Sequence, residues 1–70
     1  MNADRFVECG RALFGSLWQA EMARAIGKSD RTVRRWAKGE QAVPVTASEE
    51  VECRLRERAG EIGRLMEDVG

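Results

Sequence analysis

The chain has 70 residues, 43% of them hydrophobic and 34% charged, with a formal net charge of zero; that length holds one small core and no second module, and the composition lies well away from the disordered regime. With no His, two Cys and only five hydroxyl side chains (Ser16, Ser29, Thr32, Thr46, Ser48), Ser-His-Asp, Cys-His and imidazole-metal sites are excluded, so neither an enzyme nor a metal or cofactor is expected. No apolar run approaches the ~20 residues that span a bilayer, and the first residues lack the long apolar stretch of a secretory signal, so a cytoplasmic location with no membrane partner is expected.

No stretch alternates apolar and polar residues in a β-branched run, and the periodicity predicts an all-α chain of about four helices in a single domain, residues 1–70. A first helix is predicted over residues 3–14, capped by Asn2, stopped by Gly15 and buried through Phe6, Cys9 or Gly10, Leu13 and Phe14. Ser16 reads as the N-cap of a second helix, with Gln19 completing a capping box. On that helix Trp18, Met22 and Ile26 recur every four residues as one apolar stripe, Ala23 offers a small surface for close helix approach, and Gly27 ends the element.

The turn Gly27-Lys28-Ser29 leads into a third helix capped by Ser29, with Asp30 in the first turn where the helix dipole favours an acid. At about 100° per residue, Val33, Trp36 and Ala37 share one face, while Arg31, Arg34, Arg35 and Lys38 gather on the opposite side. Lys38 and Gly39 close this helix. After Pro44, Thr46 and Glu49 read as a second capping box opening a long last helix, residues 46–69. Its stripe of Val51, Leu55, Ala59, Ile62, Met66 and Val69, with Leu65 beside it, is too long for one small core to cover. Gly60 and Gly63 within it cost up to about 1 kcal/mol each relative to Ala, and either weaken the tail or admit a partner helix closely.

Cys9 and Cys53 lack metal-ligand spacing. A disulfide between them would close a long loop, but cytoplasmic thiols stay reduced and free Cys is often buried, so two packed free thiols are expected. The zero net charge conceals segregation. Residues 1–45 carry eight basic and five acidic groups (+3), residues 46–70 four basic and seven acidic (−3), and residues 24–38 six basic and one acidic (+5). Such a local excess is the footprint of a protein that meets a polyanion; a solvated basic face is the plainer alternative.

Two helices joined by a short glycine-containing turn, the second with a cationic outer face, have the layout of a helix-turn-helix DNA reader. The segment QAEMARAIGKSDRTVRRWAKGEQAVP resembles the helix-turn-helix of the Cro and phage-repressor (XRE-type) family, with the motif at about residues 16–39. The matching positions are Gln19 opening the motif, Ala23 at the helix crossing, Gly27 in the turn, and Val33 and Trp36 as core anchors, with Gly39 and Pro44 fitting the usual exit. Trp18, where the family usually has a small hydroxyl residue, and Lys28, where an apolar turn residue is common, depart from the pattern.

The resemblance implies a lambda-repressor-like fold and transcription-regulator-like binding of double-stranded DNA, with the third helix in the major groove. Arg31 and Arg35 are the candidate base contacts, because Arg suits bidentate bonds to guanine, and Asp30 either accepts from a cytosine amino group or only caps its helix. Gln19, Lys28, Arg34 and Lys38 are the candidate phosphate contacts. Trp18 and Trp36 are expected in the core rather than stacked on bases. A homodimer through Ile62, Leu65, Met66 and Val69 of the last helix is expected, paired in a short antiparallel or crossed manner; a tail that frays or folds back is the alternative. No small-molecule effector is expected. Two other readings of function remain: a partner-binding protein, such as an antitoxin or adaptor, that uses the acidic last helix, and a prophage- or transposase-associated DNA-binding accessory.

Overall fold

The computed structural model describes residues 1–69 and contains four helices with no strand among them: α1 (Ala3–Phe14), α2 (Trp18–Ile26), α3 (Asp30–Ala37) and α4 (Val45–Val69). The first three and the opening turns of α4 enclose one core, and the remainder of α4 projects from it, giving extents of 44 × 22 × 20 Å. No helix among the described residues is long and apolar enough to cross a membrane.

The core is organised on Phe6, which is fully buried between two indoles. Its ring meets Trp18 edge-on at 5.4 Å and Trp36 edge-on at 5.7 Å, the offset arrangement that the ring quadrupoles favour. Both tryptophans are therefore core residues, as their spacing predicts. Met22, Ala23, Ile26 and Val33 fill the space between α2 and α3, and Val43, Ala47 and Val51 close it from the other side. Gly10 and not only Cys9 is buried on α1, whereas Phe14 is only half-buried, because it sits at the helix end where α4 does not fully cover it.

Two helix starts follow the predicted capping. Asn2 Oδ1 accepts from the Arg5 N–H at 2.8 Å, and Ser29 Oγ accepts from the Thr32 N–H at 3.2 Å. The other two do not. Ser16 and Leu17 form a turn, Leu17 occupies the N-cap position of α2, and no side chain bonds to the helix start, so the Ser16–Gln19 capping box does not form. Burying Trp18 against α1 fixes where α2 begins, and that gain outweighs a cap. Likewise α4 starts at Val45 rather than after Thr46, because the Pro44 carbonyl already accepts the Ser48 N–H at 3.0 Å; this leaves Thr46 inside the first turn.

Both α2 and α3 end on left-handed glycines. At the first, Gly27 has φ +68° and the Lys28 N–H donates back to the Ala23 carbonyl; at the second, Gly39 has φ +76° and the Glu40 N–H donates to the Arg35 carbonyl. These are six-to-one closures that satisfy carbonyls otherwise left open at a helix end. They leave only Gly27, Lys28 and Ser29 between α2 and α3. A further tie comes from far along the chain: Arg54 on α4 donates to the Ala25 carbonyl at 2.7 Å, placing a cation at the negative end of α2.

The thiols divide. Cys9 is buried, but Cys53 is exposed and free, because it points almost opposite to Val51 and Leu55 on α4. Burial pushes the Cys9 thiol above its ordinary value of 9.0, a rise that nearby Glu8 and Glu52 add to and Arg5 offsets.

Candidate nucleic-acid interface

Helix α3 is anchored by Val33 and Trp36, both buried, with Ala37 half-buried beside them. A helix fixed along that stripe must turn its other side outward. Arg31, Arg34, Arg35 and Lys38 accordingly are exposed and line one open concavity of about 320 Å³, which Glu40 shares. Four cations against one acid give this surface a net charge of +3.

A second concavity, of about 530 Å³, lies where α1, α2 and α3 converge. It brings together Gln19, Asp30 and Arg34, three of the residues singled out in the sequence, and adds Arg11 from α1. Arg34 borders both spaces, so they adjoin at its side chain. Gln19 is half-buried at the start of α2, whose first turn has no side-chain cap, leaving backbone N–H groups directed outward. Asp30 stands in the first turn of α3, where the positive end of the helix dipole favours its charge.

Lys28 is exposed in the turn and borders neither concavity. Arg24, one of the six cations of residues 24–38, is held by Glu21 at 2.7 Å on the exposed side of α2 and likewise borders neither. Arg11 escaped sequence reasoning because its neighbours come from other helices. Its only local signal is a cation in the last turn of α1.

Ala23 is buried at the crossing of α2 with its neighbours, Gly27 adopts the left-handed conformation of the turn, and Val33 and Trp36 face inward. Bordering neither concavity, the end of α4 exposes Ile62 (50%), Leu65 (64%), Met66 (65%) and Val69 (83%). The core reaches only as far as Val51 and, partly, Leu55.

Comparison of the chain with protein-family models, with curated proteins and with solved structures finds no match. The functional reading therefore rests on the geometry and charge of this surface.

Proposed function

We propose that this protein binds double-stranded DNA sequence-specifically, as a transcription-regulator-like protein of the Cro and phage-repressor type, with α3 as the recognition helix in the major groove. The observation that carries this reading is the polarity of α3: Val33 and Trp36 are buried while Arg31, Arg34, Arg35 and Lys38 share one exposed concavity. A helix pinned by its apolar stripe and cationic on its free face is what a groove lined by phosphates accepts. In this reading Arg31 and Arg35, with Asp30, contact bases; Gln19, Lys28, Arg34 and Lys38 contact phosphates.

The same reading includes a homodimer. One helix-turn-helix offers few base contacts, and such readers gain affinity by setting two recognition helices about 34 Å apart. The exposed Ile62, Leu65, Met66 and Val69 supply an apolar patch of the kind that soluble monomers tend to avoid. That patch also favours a second reading, in which α4 docks a different protein as an antitoxin or adaptor does.

Selection of bound sites from a random-sequence duplex library tests the proposal. Enrichment of a two-fold site with half-sites about one helical turn apart is the expected result. Failure to bind any duplex near 50 mM salt, where phosphate attraction is strong, refutes DNA binding.

A further inference from the structure

We infer that Arg11, on α1, is an additional backbone-phosphate contact, so that the duplex is held beside α3 as well as along it; this rests on the proposed DNA reading and extends its footprint. Arg11 and Arg34 come from different helices and border one concavity with Gln19 and Asp30. Among the described residues the ion pairs are Glu21–Arg24 and Glu52–Arg56, so neither Arg11 nor Arg34 forms an ion pair with a carboxylate of those residues. Two guanidiniums from separate elements on one concavity, with Asp30 as its single acid and paired to neither, leave a net positive charge that an external anion relieves.

The identity of that anion follows from continuity. Arg34 also borders the concavity of Arg31, Arg35 and Lys38, so it links the cations of α3 to the concavity that holds Arg11 of α1. A single small anion would engage one end of such a surface, whereas a sugar-phosphate backbone presents regularly spaced charges along all of it. Leu17, 85% exposed on the same concavity, gives the apolar faces of the deoxyriboses a neighbour. Asp30 is the one acid there, and its charge is already favoured by the start of α3.

The test uses the full chain and a duplex it binds, measuring affinity against salt for the unaltered protein and for Arg11→Gln, Arg11→Lys, Lys38→Gln and Arg56→Gln, each checked for unchanged helicity. Arg11→Gln is expected to lower the slope of log affinity against log salt by about one, as Lys38→Gln does; Arg11→Lys and Arg56→Gln are expected to keep it. An unchanged slope in Arg11→Gln beside a lowered one in Lys38→Gln overturns the Arg11 contact and leaves DNA binding standing. An equal loss in Arg56→Gln also overturns it, since the effect is then one of overall charge. If Arg11→Gln alters only competition by inorganic phosphate at matched ionic strength, the site takes a free anion and the backbone contact is overturned. Absence of duplex binding by the intact chain overturns both proposals together.

Discussion

The indole of Trp18 fills the space that any side chain at Gly10 would need: a Cβ there would overlap Cε3 and lie within 2.7 Å of Cζ3. This contact sets how closely α1 and α2 approach, and through Trp18 it holds Phe6 and the start of α2. The concavity lined by Gln19 depends on it indirectly, since Gln19 immediately follows Trp18.

Gly10→Ala should therefore destabilise the fold by about 1–3 kcal/mol, the range for overpacking a closed core. The clash involves a rigid ring and not the end of a flexible chain, so it cannot relax cheaply. Denaturant unfolding with an unchanged m-value and a lowered midpoint is the expected result. An unshifted midpoint would mean that α1 and α2 do not cross here.

Gly60 and Gly63 present the opposite case. A Cβ at either position meets nothing within 4 Å, so Ala there adds helix propensity without a clash. Gly60→Ala and Gly63→Ala should each raise the helical content of α4 and stabilise it by up to about 1 kcal/mol. Circular dichroism at low protein concentration reads this directly. A loss of helicity would show that another helix occupies the space beside these glycines.

The caps show how much was legible in the sequence. Asn2 and Ser29 were readable because each acts on the three residues that follow it, and nothing distant competes. Ser16 and Thr46 carry the same local signal, yet the helices they precede begin where Trp18 is buried and where the Pro44 carbonyl finds Ser48. Burial against a distant helix overrides the side-chain cap at Ser16, and an earlier backbone bond overrides it at Thr46. The face of α3 was likewise legible, being one helix with one periodicity. The Arg11 contribution was not, nor was the Arg54 bond to Ala25, which joins residues 29 positions apart. Both depend on how helices cross, which spacing within one helix does not encode.

Ser48 exposes one consequence of that shifted start. Its Oγ is buried with no hydrogen-bond partner, and burying such a hydroxyl unpaired costs about 1–3 kcal/mol. Ser48→Ala removes the orphaned group with little change of shape, between Ala47 and Val51. A rise in stability of roughly 1 kcal/mol in thermal or denaturant unfolding is expected. A comparable fall would reveal that the hydroxyl has a partner.

The two thiols should differ in reactivity. Cys53 is exposed and should react with a disulfide reagent in the native state, while Cys9 should react only as the chain opens. Because burial raises the Cys9 value above 9.0, the unfolded chain loses this proton first as pH climbs. Stability from this group is thus intact below about pH 9 and declines above it. Cys9→Ala should flatten that alkaline decline relative to the unaltered chain; an identical profile would assign the decline to other groups.

On α3, base and phosphate contacts should separate by their response to sequence. Arg31→Ala or Arg35→Ala should cost about 1–3 kcal/mol on the selected site and relax preference at one base pair. Lys38→Ala should weaken all duplexes alike. Uniform, sequence-independent losses at Arg31 and Arg35 would move both to the phosphates. The homodimer is tested separately, by sedimentation of the full chain and of a chain ending at Ala59. The shorter chain keeps every buried core residue, since the last of them is Val51, so it should fold while losing Ile62, Leu65, Met66 and Val69. Self-association of the full chain alone, with weaker duplex binding by the shorter one, is the expected outcome. A full-length monomer at about 100 μM, well above the range of a working dimer, would exclude self-pairing and turn attention to a different protein as the occupant of α4.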